Sequence, residues 1–258
     1  MQSITRVLWY IGIPSANITR RSRLKIMKMP RITLVTATTV LSAFALQAAD
    51  KVEKVDDRLA SANAVLGEMM RADDKGVPQD LLNRARCIVV IPGAKKAGFI
   101  VGVKYGKGFA VCHKASGAGW TAPAAMRVEG GSFGFQIGAS ETDAIIIVQN
   151  ESGMHKLLED KFTLGGDASV AAGPLGRDLS AETDAQMHAE MLSYSRSRGL
   201  FAGIALTGAT LRPDEDDNIA MYGSAMTNKQ ILAGDVKAPA AAMPLEHRLD
   251  KYAVMKTN

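Results

Sequence analysis

Cysteine and histidine are scarce in this sequence, two and four among 258 residues, and the scarcity removes whole classes of chemistry. His113, His155, His188 and His247 stand singly, and His188-Ala189-Glu190 lacks the HExxH spacing, so no zinc site is expected. No C-x-x-C occurs, which argues against catalytic thiol redox chemistry. Gly102 to Lys107 (GVKYGK) has neither the spacing nor the Ser/Thr of a phosphate-binding P-loop, so nucleotide hydrolysis has no support. Gly130-Gly131-Ser132-Phe133-Gly134 matches G-x-S-x-G, but that elbow needs a strand, a tight turn and a helix, and the continuation FQIGAS reads as strand. No catalytic residue, metal or cofactor is therefore expected.

Acid is missing from the first 49 residues, which carry seven of the 31 Lys and Arg and no Asp or Glu. Residues 31–49, RITLVTATTVLSAFALQAA, pass from a basic residue through an apolar run to small residues, the layout of a secretory signal peptide. Cleavage is expected in Ala43-Phe44-Ala45 or at Ala48 or Ala49. The run is too short, and too rich in Thr and Ala, for a membrane span, and no cysteine follows to carry a lipid anchor. Met27 or Met29 would give an ordinary n-region. Residues 1–49 are thus read as a leader, a gene-model extension plus signal peptide, and residues 50–258 as one exported domain, periplasmic or extracellular.

The formal charge of +5 and pI near 9.2 suggest nucleic acid. Beyond the leader, however, 24 basic residues face 26 acidic ones, a net of −2. A nucleic-acid binder keeps its basic excess in the folded domain, so no such partner is expected. The remaining charge is uneven. Arg84, Arg86, Lys95, Lys96, Lys104, Lys107, Lys114 and Arg127 fall in a stretch with no acid. Such a segment either gathers into a patch for an anionic surface or scatters over both faces of a sheet, because strand neighbours alternate.

Residues 51–72 read as an amphipathic helix, with Val52, Val55, Leu59, Ala62, Leu66 and Met69 at three-and-four spacing and a mixed-charge polar face. Residues 79–84 suit a further turn. From Arg86 the texture changes to short apolar runs broken by glycine. CIVVIPG reads as a strand ended by Pro92-Gly93, and Tyr105-Gly106-Lys107-Gly108 reads as a hairpin turn. GSFGFQIGAS, DAIIIVQN, AEMLSYSRSRG and LFAGIALTGATLRPD continue the pattern, GMHKLLED interrupts it as a short helix, and 227–233 and 240–255 are helical. Connections this short imply a largely antiparallel sheet, and glycines within strands imply strong curvature. The expected class is α+β, with a curved or barrel-like β core, an N-terminal amphipathic helix and C-terminal helices. The DEDDN run at 214–218 lacks the glycine and terminal glutamate of a calcium loop and is expected to be an exposed acidic turn. Cys87 and Cys112 are either a disulfide or two buried thiols.

Four blocks taken together are specific: CIVVIPGAKKAGFIVGVKYGKGFAVC, GWTAPAAMRVEGGSFGFQIGASETDAIIIV, FTLGGDASVAAGPLGR and SYSRSRGLFAG. In this order the chain resembles the bacterial SYLF-domain family over about residues 60–233. The resemblance implies a non-enzymatic lipid-binding domain. Eukaryotic relatives bind phosphoinositides and couple membranes to actin, and bacterial members are typically exported. The relatives' lipid-binding N-terminal helix is basic, from which the mixed face at 51–72 departs. For an exported chain, anionic phospholipid or a membrane surface is the expected partner, with a protein-interaction module that binds no lipid as the alternative. The residues that fit this expectation are Lys95, Lys96, Lys104 and Lys107 around one hairpin, Arg177 after a Gly-Pro-Leu-Gly loop, and Arg196 with Arg198 on one strand face, since arginine grips phosphate in a bidentate manner. The arginines' alternative role is structural, as partners of Glu129, Glu141, Asp143 or Asp178.

Overall fold

The computed structural model describes residues 32–72, 76–98, 101–117, 119–133, 138–174, 184–197, 200–203 and 207–252. The chain divides into two units, Met1–Ala43 and Phe44–Asn258, and all packing below belongs to the second. Helix α1 (Ile32–Arg71) begins well before the amphipathic stretch. Neither proline nor glycine occurs from Ile32 to Leu66, so nothing in the sequence stops the helix there. Among the described residues no helix is long and apolar enough to cross a membrane.

After α2 (Gln79–Arg84) come four long strands, β1 (Cys87–Gly98), β2 (Val101–Cys112), β3 (Ala124–Phe133) and β4 (Gly138–Val148). Shorter elements follow: α3 (Glu151–Leu157), β5 (Phe162–Thr163), β6 (Val170–Ala172), α4 (Asp184–His188), β7 (Met191–Ser197), β8 (Leu200–Gly203), β9 (Thr210–Pro213), α5 (Glu215–Tyr222), α6 (Asn228–Ala233) and α7 (Met243–Tyr252). The strands form one nine-stranded sheet in the order β5-β9-β3-β2-β1-β4-β7-β6, with β8 also on β7. Only β6 with β7 is parallel. The α+β class and the largely antiparallel, curled sheet expected from the sequence are what the structure shows.

β1 lies centrally, and its first half, Cys87–Ile91, is buried on both faces, which explains its unbroken apolar run. Ile88 and Val90 meet Val55, Leu59, Leu66 and Met69 of α1 and Leu245 and Leu249 of α7. Val89 and Ile91 meet Met126, Phe162 and Leu211, with Ile231 and Leu232 of α6. Burial of each such side chain stabilises the fold by roughly 1.5–3 kcal/mol relative to exposure.

Two local expectations are corrected. Pro92-Gly93 does not end β1: the strand continues to Gly98 through a bulge, where Gly93 takes φ +58°. Tyr105-Gly106-Lys107-Gly108 is no turn, because β2 runs straight through it. The glycines there answer to the bulge. A Cβ on Gly108 would sit 2.0 Å from the Val90 carbonyl oxygen, and one on Gly106 would sit 2.9 Å from Ala94 and Ile91. The missing side chains let bent strands approach.

Candidate anion-binding face

Beyond the bulge, β1 and β2 pair Lys95 with Tyr105 and Lys96 with Lys104. Partners directly opposite share a sheet face, and neighbours along a strand do not. The lysines therefore split. Lys95 and Lys107 take the α1 face, and Lys96 and Lys104 take the other. The row on that second face reads Ser140, Lys96, Lys104, Gly130 across β4, β1, β2 and β3. Two ammonium groups thus stand side by side, and no carboxylate pairs with either among the described residues. Like charges directly opposite each other are destabilising. Burial lowers the pKa of Lys104, and Lys96 lowers it further. Such a pair gains when an anion lies between its members.

Lys107 is committed elsewhere. Its Nζ lies 2.6 Å from Asp214 and 3.1 Å from Asp217, and Asp217 also receives Arg58 of α1 at 2.5 Å. Both aspartate side chains are almost fully buried, at 2% and 4% exposure. This corrects the exposed acidic turn. The run instead begins α5, with Asp214 capping it by accepting from the Asp217 N–H. Burial disfavours the Lys107 charge, yet its hydrogen bonds to Asp214 and Asp217 outweigh that and raise its pKa.

Arg196 donates to Asp143 from Nε at 3.1 Å and Nη2 at 2.6 Å, and pairs with Glu68 of α1. Asp143 is one of the structural partners weighed for it. Its strand is internal, since β7 lies between β4 and β6. Arg196 borders a cavity of about 440 Å³ with Asp57, Arg58, Glu68, Glu141 and Asp143. With acids outnumbering arginines there, the cavity offers no anion site. Arg177 and Arg198 lie outside the described residues. Ser132 lies on β3, and the chain returns as β4, so strand follows strand where an elbow requires a helix. Among the described residues no group of three His, Cys, Asp or Glu converges to hold a metal.

Cys87 and Cys112, opposite each other on β1 and β2, are joined by a disulfide. Sequence reasoning missed Arg58, Asp214 and Asp217 as a buried ionic cluster, and also the exposed pair Val103 and Tyr105. The first spans positions 58 to 217, and no local pattern announces it. The second was visible as two apolar residues at alternate strand positions, once the strand was drawn to its full length.

Residues 129–252 match the family model described as Ysc84, Las17-binding protein actin regulator. Protein YSC84 of Saccharomyces cerevisiae is 35% identical over 206 residues, which cover 79% of this chain and 42% of that protein. SH3 domain-containing protein PJ696.02 of Schizosaccharomyces pombe is 38% identical over 172 residues, 66% of this chain and 40% of its own. The human SH3 domain-containing YSC84-like protein 1 is 34% identical over 180 residues, 69% of this chain and 52% of its own. The chain spans about half the length, or less, of these curated relatives.

Proposed function

Residues 129–252 carry a domain of the Ysc84 (SYLF) family, and from that premise we propose that the protein is a non-enzymatic module that binds anionic phospholipid headgroups. The observation that carries this reading is the lysine pair on β1 and β2, Lys96 against Lys104, with no carboxylate partner among the described residues. Exposed Lys95 adds charge on the opposite face. The phosphate of a headgroup neutralises both members of the pair at once and removes their mutual repulsion. Lys107 and Arg196, held by carboxylates within the fold, are excluded from the site. Export belongs to the proposal, and the Cys87–Cys112 disulfide supports it, because disulfides persist in oxidising compartments.

The test is co-sedimentation of the full chain with phosphatidylcholine vesicles containing rising fractions of phosphatidylserine. Binding is expected to rise with the anionic fraction and fall with salt. The Lys96→Glu/Lys104→Glu variant, with its fold checked by circular dichroism, is expected to bind about thirtyfold less or worse, at about 1 kcal/mol per lysine removed. Folded wild type that ignores the vesicles would overturn the proposal. It would favour a protein-interaction module, the reading to which a relative named LAS seventeen-binding protein 3 points.

A further inference from the structure

The strand ends next to the lysine pair carry a second signal. Val103 and Tyr105 are 63% and 44% exposed. They alternate along β2 and so share the face that α1 covers further along the strand, at Phe109 and Val111. Here that face is open: a Cβ built on Gly131, opposite Val103, meets no atom within 4 Å. Around the two apolar side chains the charges are of both signs. Lys95 stands opposite Tyr105 and beside Glu141. Glu129, also opposite Tyr105, is ion-paired to Arg127 at 3.3 Å and to Arg212 at 3.4 Å.

The sequence continues the trend towards the ends of the strands. It carries no charge from Ala97 to Val103, nor from Gly130 to Ser140. Register brings the described residues of these two runs together at one end of the sheet, with Gly98 opposite Gly102 and Gly138, and Val101 opposite Phe133. The first cations met on stepping back towards the core are Lys95, Lys96 and Lys104. From the uncharged end inwards, the Lys96–Lys104 pair comes first and Tyr105 follows, opposite Lys95. An apolar end succeeded by cations and a tyrosine is the order of polarity of a membrane interface read outwards from the acyl chains. Tyrosine favours the headgroup level, and lysine lays its stem along apolar surface while its ammonium reaches phosphate.

We infer that this end of the sheet docks edge-on into an anionic bilayer, with Val103 entering the interfacial layer, Lys96 and Lys104 at the phosphates, and Tyr105 and Lys95 behind them at headgroup level. The inference rests on the lipid-binding reading and adds insertion to it. Charge complementarity selects the occupant: lysines stand on both faces of these strands, Lys95 on one and Lys96 with Lys104 on the other, and an anionic headgroup layer entered edge-on meets both.

The test labels a Val103→Cys variant with an environment-sensitive fluorophore and, as a reference, a Glu215→Cys variant at an exposed position of α5. The native cysteines are paired and buried. On phosphatidylcholine–phosphatidylserine vesicles, the label at 103 is expected to shift to the blue and to be quenched by lipids brominated in the acyl chain, whereas the label at 215 does neither. Tyr105→Ser is expected to weaken binding about tenfold at high salt, where the apolar contribution dominates. Vesicle binding by folded protein with the label at 103 unmoved would overturn insertion and leave headgroup binding standing. Failure of the unlabelled wild type to bind would instead remove the lipid reading itself.

Discussion

Lys104 carries a charge that its surroundings disfavour. Burial lowers its pKa and Lys96 lowers it further, so near that value the folded state holds fewer protons than the unfolded chain. Stability from this group therefore rises as pH climbs through the lowered pKa towards the ordinary value of 10.5. At neutral pH the pair is a small standing cost. Replacing Lys104 with threonine, a good strand former, is expected to stabilise the protein by about 0.2–1 kcal/mol at low salt and by less when salt screens the pair. Urea midpoints of the two proteins measure this. Vesicle affinity should move the opposite way, falling as stability rises. A variant that loses both would mark Lys104 as a structural residue and deprive the site of its central argument. A glycine makes a matching point by steric means. Gly173 faces the Tyr194 ring so closely that a Cβ would lie 2.1 Å from it, so that position is set by a residue distant in sequence.

Among the elements, α1 and α5 show what the sequence revealed and what it concealed. The apolar spacing of α1 was legible because five of the six positions that repeat along the helix are those it buries, Val52 alone of the six being exposed. The polar contacts of α1 were not legible. Arg58 and Glu68 reach Asp217 and Arg196, partners from α5 and β7 that only the fold brings near. DEDDN looked solvated because a run of acids normally is; here Lys107 and Arg58 supply the counter-charges inside. The cost of removing one of them is calculable. Lys107→Met leaves the Asp214 carboxylate, 2% exposed, without its cation, and breaking a buried pair from one side costs about 3–5 kcal/mol. Adding Asp214→Asn should restore a large part of the loss, which separates an electrostatic cause from a packing one. The pH profile carries a sign as well. Because the pKa of Lys107 is raised, its contribution is complete below 10.5 and is lost as pH rises through the raised value. Denaturation curves of wild type and Lys107→Met should therefore converge at strongly alkaline pH.

For the whole molecule, the class of fold was readable from short apolar runs and short connections, whereas the places where strands turn were not. Glycine has two uses, turning a chain and admitting a neighbour, and the sequence does not distinguish them. Tyr105-Gly106-Lys107-Gly108 belongs to the second kind because the bulge at Pro92-Gly93 presses Val90 and Ile91 towards β2. The same hairpin holds the disulfide, which closes a sequence separation of 25 residues in the middle of the sheet. Restricting the unfolded chain by a loop of that length stabilises the folded state by about 3 kcal/mol. For a domain of this size the shift in melting temperature is on the order of 10 °C. Both cysteines are fully buried, so reductant added to folded protein reaches them slowly. The informative comparison is a Cys87→Ala/Cys112→Ala variant against wild type, with wild type also refolded in reductant. A lower melting temperature in both the variant and the refolded protein is expected, and it would mean that the fold relies on an oxidising compartment for part of its stability. Equal melting temperatures would mean that the sheet holds without the bridge, and the support that the disulfide lends to export would be gone.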